Sequence, residues 1–175
     1  MMLPPNEREA LSVKPDVPYL ANERVYLRRL AAADIGDIRE ISFYDGRAAD
    51  SDEEALTMLR RIDADIEGGT SLHWGVFPQD TSTCAGTCGF YRGFTNGTGE
   101  IGYVLREPFR GRGIMTDAVR LVIAHGFERL GLTWIEARVA PDNAASIRLL
   151  ERVAFRLEKE DGEHLRYVRA AVSPT

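Results

Sequence analysis

A chain of 175 residues, 44% hydrophobic and 28% charged, has the composition of a soluble globular protein and suits one domain with its own core. Its formal net charge of −5 argues against nonspecific nucleic-acid binding, and no apolar run approaches the ~18 residues of a membrane span. Cys84 and Cys88 are too few for a disulfide framework, no Cys or His pair completes a zinc pattern, and Met1–Lys14 lacks a signal-like apolar stretch. The expectation is a reduced, cytoplasmic protein with no metal, no nucleic-acid partner and no membrane partner.

Pro4, Pro5, Pro15 and Pro18 mark residues 1–20 as an extended or poorly ordered lead-in to a single domain over 21–175. Val25, Leu27 and Leu30 predict a first strand over 24–30. Asp34 is placed to cap a short helix through Ser42, with Ile35, Ile38 and Ile41 on one face. Ser51 and Glu54 form a capping box for a second helix, which Gly68-Gly69 ends after Glu67. Strands follow over 72–77 and 83–94, and Asn96-Gly97 predicts a hairpin into a strand over 98–106. Cys84 and Cys88 fall on one face of the 83–94 strand as core thiols. A helix over Thr116–Leu130 buries Met115, Val119, Val122, Gly126 and Leu130, and Gly131 stops it. The strand over 133–139 alternates Ile135, Ala137 and Val139 against Trp134, Glu136 and Arg138. Strand, helix and strand at this spacing imply a right-handed parallel crossover. A helix over Asn143–Arg152 and two closing strands, near 155–160 and 163–171, complete a mixed sheet of the α/β or α+β class.

The most informative stretch is Glu100–Ala118, a strand, an Arg/Gly turn and a helix start. Such a turn exposes N–H groups that no helical carbonyl can satisfy, and the helix dipole, Arg110 and Arg112 add positive charge. It reads as a site for a phosphate or pyrophosphate. It is no dinucleotide fingerprint, because Thr116 stands where the third glycine belongs, and no Gly-Lys-Ser/Thr follows to make a Walker loop.

The runs Ile-Gly-Tyr-Val-Leu (101–105), Arg-Gly-Arg-Gly-Ile-Met-Thr-Asp-Ala (110–118) and Glu-Ala-Arg-Val-Ala-Pro-Asp-Asn-Ala-Ala-Ser-Ile-Arg-Leu-Leu-Glu-Arg-Val-Ala-Phe (136–155) resemble the GCN5-related N-acetyltransferases, GNAT. They are most similar to the RimJ/RimL-like ribosomal-protein N-terminal acetyltransferases. The resemblance spans about residues 24–170. It implies a mostly antiparallel twisted sheet of about seven strands with a central parallel pair, flanked by about four helices. It implies acetyl-coenzyme A as co-substrate, with the pyrophosphate on Arg110, Gly111, Arg112, Gly113, Ile114, Met115 and Thr116 and the pantetheine arm along Val104 and Leu105. Arg106 either joins this clamp or covers the strand end, and Asn143 caps the following helix and faces the cofactor. Two positions depart from the family pattern: Met115 replaces a small residue and Ala154 replaces a glycine. Many relatives place a tyrosine seven residues after the asparagine, where this chain has Leu150.

Two residues carry the expected chemistry. Glu100 is read as the general base, directly or through a water, or else as a solvated strand-end carboxylate. Ser146 is read as a donor to the departing sulfur, or else as an ordinary first-turn residue; Tyr103 and Tyr167 are read as packing or substrate-wall residues. The function expected is acetyl transfer from acetyl-coenzyme A to a primary amine by direct attack in a ternary complex. The amine is either a protein N-terminal α-amine or a small molecule. The alternative is a non-catalytic acyl-coenzyme A-binding or sensor module, against which Glu100 and Ser146 count. The protein is expected to be a monomer or homodimer.

Overall fold

The computed structural model describes residues 16–41 and 43–172. Eight strands form one sheet: β1 (Leu20–Ala21), β2 (Val25–Arg28), β3 (Leu72–Pro78), β4 (Gly86–Thr95), β5 (Thr98–Leu105), β6 (Trp134–Val139), β7 (Arg156–Asp161) and β8 (His164–Ala170). Their spatial order is β1-β2-β3-β4-β5-β6-β8-β7. Every neighbouring pair is antiparallel except β5 and β6, which are parallel. The helices are α1 (Ile35–Ile38), α2 (Asp52–Glu67), α3 (Ile114–Glu128) and α4 (Ala144–Arg152). The mixed, mostly antiparallel sheet with a central parallel pair is the expected architecture, with β1 as a further edge strand. Of the expected lead-in, residues 1–15 lie outside the described residues.

Local signals account for most boundaries. Asn96 and Gly97 both take positive φ, 53° and 71°, as a tight hairpin turn requires. Ser51 Oγ accepts the Glu54 N–H at 3.1 Å and starts α2, while the Glu54 carboxylate takes the Asp50 N–H at 2.7 Å. The core lies where α3 crosses the sheet, with Trp74, Phe90 and Ile135 fully buried. Gly126 permits this close packing, since a Cβ there would stand 2.7 Å from the Phe90 ring.

Three expectations need correction. Asp34 makes no side-chain cap to the short helix expected through Ser42: it ends a 3-10 turn (Ala32–Asp34), and α1 is one turn ending at Ile38. Its carboxylate is occupied by Arg28, with two bonds of 2.9 Å, and by the Ala31 N–H at 2.8 Å. Ser42 lies outside the described residues, while Ile35, Ile38 and Ile41 are buried as the pattern requires. Leu130 is 38% exposed, because α3 ends at Glu128 before that position returns to the buried face. Cys84 precedes β4 and so shares no strand face with Cys88, although both thiols are buried.

Candidate active site

The parallel joint between β5 and β6 is short. It holds for Thr98–Trp134, Gly99–Ile135 and Glu100–Glu136, and beyond Glu100 the strands separate. From Ile101 onward β5 is paired to β4 on one side and borders an open gap on the other. A cleft of about 700 Å³ occupies this region, walled by Tyr103, Val104 and Leu105 of β5, the turn after it, the start of α3, and α4. That size is within the range of small-molecule sites, ~300–1,000 Å³.

The turn is shaped by two glycines. Gly111 and Gly113 have φ of 73° and 76°, a region that costs other L-residues ~1–2 kcal/mol. Gly113 is the N-cap of α3 and offers no side-chain cap, so the first-turn N–H groups stay open to a ligand. The turn is held from behind by Arg24 of the chain leading into β2. Its guanidinium donates to the Arg112 carbonyl and pairs with Asp117 of α3 at 3.1 Å. Sequence reasoning missed this brace, since a lone arginine so far upstream carries no local signal.

The cleft brings together Val104, Leu105, Arg110, Gly111, Gly113, Ile114, Met115, Thr116, Asn143 and Ser146. Arg106 is turned away: its guanidinium bonds Glu40 at 2.9 Å and the Cys84 carbonyl at 3.1 Å, with Asp37 at 3.7 Å. It therefore ties the end of β5 to the α1 region, the strand-covering alternative. The Arg112 side chain also leaves the cleft, reaching toward Asp80 at 3.8 Å and the Phe109 ring. Asn143 accepts the Ser146 N–H at 3.1 Å and so caps α4 while lining the cleft.

Glu100 closes the inner end of the gap as the last paired residue. Its side chain is 17% exposed, with Arg92 at 3.6 Å and Arg138 at 3.9 Å. Arg92 is placed there by a bulge in β4, where Arg92 and Gly93 take φ of 61° and 82°. Strand alternation sets Glu100 and Tyr103 on opposite faces of the sheet. Tyr103 lines the cleft beside Ser146. Burial pushes its phenol up to about 12, and the Ser146 hydroxyl facing it pulls the other way. Tyr103 and Ser146 thus line the cleft itself, whereas Glu100 lies at the last paired position of the joint and is not among the cleft-lining residues.

Arg148, Leu149 and Arg152 of α4 also line the cleft, and sequence reasoning assigned none of them to it. Their spacing with Ala145, three and four residues apart along one helix, was the available signal. Among the described residues no group of three or more His, Cys, Asp or Glu could hold a metal ion. Among the same residues no helix is long and apolar enough to cross a membrane.

Comparison with known proteins returns one family model, "Acetyltransferase (GNAT) domain", over residues 24–156. The uncharacterized N-acetyltransferase YoaA of Bacillus subtilis is 32% identical over 81% of this chain and 84% of its own length. The uncharacterized N-acetyltransferase p20 of Bacillus licheniformis is 37% identical, and the match covers 60% of each protein, so this chain spans under two thirds of that relative. Among solved structures, the ribosomal-protein α-N-acetyltransferase RimL, in complex with coenzyme A, shares the fold. Its TM-score is 0.73 at 21% identity, over 87% of this chain and 97% of RimL.

Proposed function

The chain belongs to the GNAT acetyltransferases, enzymes that take acetyl from acetyl-coenzyme A, and on that premise we propose that it acetylates a primary amine by direct attack in a ternary complex. The acceptor class we put first is the α-amine of a protein N-terminus, the class named for RimL, ahead of a small-molecule amine. One observation supports the reading: the gap between β5 and β6 has the glycine turn and uncapped helix start at one end and Glu100 at the other.

The residues present suit coenzyme A. The Gly111–Gly113 turn and the uncapped start of α3 offer N–H donors to a diphosphate. The unpaired edge of β5 beyond Glu100 can bond an amide chain as it would a peptide strand. Acetyl-coenzyme A supplies an activated thioester when bound. Glu100 accepts the proton that the amine must lose, directly or through a water. Ser146, with the Tyr103 hydroxyl beside it, donates to the departing sulfur from the other face.

The arithmetic of the amine favours an N-terminus. Deprotonating an α-amine of pKa about 8 at pH 7 costs about 1.4 kcal/mol, and a lysine amine about 4.6 kcal/mol. A single carboxylate at the gap has less to do for the first.

The test is titration calorimetry with acetyl-coenzyme A followed by thiol release across N-terminal peptides, lysine peptides and small amines. Glu100→Gln and Ser146→Ala should each lower turnover ~10–100-fold with coenzyme A affinity nearly unchanged. Full turnover in both variants removes their assigned roles. Tight binding with no thiol release on any amine favours the sensor alternative, and release only on small amines moves the acceptor to that class.

A further inference from the structure

The cleft holds more positive charge than its turn alone provides. Arg148 and Arg152 sit one helical turn apart on α4 and line the same cleft as Gly111 and Gly113. Among the described residues neither has a carboxylate within 4.0 Å, and nor has Arg110, the cleft's third arginine. Arg24, Arg106 and Arg112 around the same turn all have carboxylates nearby. Arg152 reaches the Thr116 hydroxyl at 3.5 Å, which brings its guanidinium beside the first turn of α3. In a chain of net charge −5, three arginines lining one cleft with no carboxylate within 4.0 Å among the described residues leave positive charge for a ligand's anion to meet.

We propose that Arg148 and Arg152 form a second anion subsite, beside the diphosphate turn and built from side chains, that takes the 3′-phosphate on the ribose of coenzyme A. The inference rests on the reading that this cleft holds coenzyme A. That ligand carries a phosphomonoester besides its diphosphate, and a phosphomonoester is close to a dianion at neutral pH. Two guanidinium forks at one-turn spacing match a dianion in charge and in donor geometry. The turn meets the diphosphate with backbone N–H groups, whereas α4 meets the third phosphate with side chains. The two subsites are therefore separable by mutation. The α4 wall would make the protein discriminate between coenzyme A and its dephospho form, which has the same thioester arm and diphosphate.

The experiment compares coenzyme A with 3′-dephospho-coenzyme A by titration calorimetry on the wild type, Arg148→Gln, Arg152→Gln and the double variant. The wild type should bind coenzyme A ~10–100-fold more tightly than the dephospho form. The double variant should lose that preference to within about threefold while keeping its dephospho affinity, and each single variant should fall between. If the wild type binds the two ligands equally, the subsite is refuted and the acetyltransferase reading stands. If the double variant weakens both ligands alike, the arginines serve the diphosphate or the fold, and the proposal fails. If the wild type binds neither ligand, both readings fall. The wild-type comparison needs no mutant to fold.

Discussion

Gly113 permits a test that separates backbone strain from charge. At φ 76° any side chain pays the left-handed cost of ~1–2 kcal/mol. The Cβ would also stand 3.2 Å from the Arg24 guanidinium, which must shift although the Arg112 carbonyl and Asp117 hold it. Gly113→Gln and Gly113→Glu should both be destabilised through the backbone, by ~1–2 kcal/mol, a fall in Tm of about 2–8 °C for a domain of this size. Their affinities should then part. At an effective dielectric of about 20, two unit charges about 5.5 Å apart repel by roughly 3 kcal/mol, a factor of ~100, an upper bound for a carboxylate here because the Arg24 guanidinium lies beside it. Glutamine lacks that charge. Calorimetry at low salt should find the glutamate variant binding acetyl-coenzyme A more weakly than the glutamine variant, by up to ~100-fold, with the ratio shrinking as salt rises. Equal affinity in the two variants would refute the turn as the seat of the diphosphate.

Three further outcomes follow from the geometry. Ala154 has φ 63° at the end of α4, where its N–H bonds the Glu151 carbonyl at 3.0 Å and the Phe155 N–H bonds the Leu150 carbonyl at 2.9 Å, a Schellman arrangement. Ala154→Gly should raise stability by about 0.5–1 kcal/mol in urea melts, and a loss would contradict the strain argument. Arg106→Ala should lower stability by ~1–2 kcal/mol through loss of its Glu40 and Cys84 bonds, with coenzyme A affinity within about twofold; a tenfold loss of affinity would restore Arg106 to the cofactor clamp. Burial lowers His73 from its ordinary value of 6.5 to about 3, so the folded state keeps it neutral while the unfolded chain takes up a proton. Stability should thus fall by ~1.4 kcal/mol per pH unit as pH drops from about 6.5 toward about 3. Urea melts at pH 7 and 5 should show a smaller acid loss in His73→Phe than in the wild type, and equal losses would exclude His73 as the cause.

What could be read in the sequence was what short segments decide for themselves. Asn96-Gly97 sets its hairpin by backbone preference, Ser51 starts α2, and Asn143 caps α4, each within four residues. The glycine turn and helix start that line the cleft are contiguous, so their shape was legible, whereas their charge was not, since the Arg112 side chain leaves the cleft. Contacts between distant segments were not. Arg24 braces the Arg112 carbonyl from the other end of the domain, and Glu40 takes Arg106 out of the cleft. Asp34 has the composition of a cap, yet Arg28 holds both of its oxygens. The sequence alone assigns Arg148 and Arg152 no role, and only the fold brings Arg152 to the start of α3. In each case a side chain had more than one possible partner, and proximity in space decided which one it took.

The brevity of the β5–β6 joint has a mechanical consequence. With three residue pairs between them, the strands β1–β5 and the strands β6–β8 behave as two plates sharing a short seam. A molecule laid into the open part of the seam lengthens it, and so stiffens one plate against the other. Amide hydrogen exchange along Ile101–Leu105 and Ala137–Val139 should therefore slow on ligand binding, and the hairpin β7–β8, beyond the seam, should gain protection without touching the ligand.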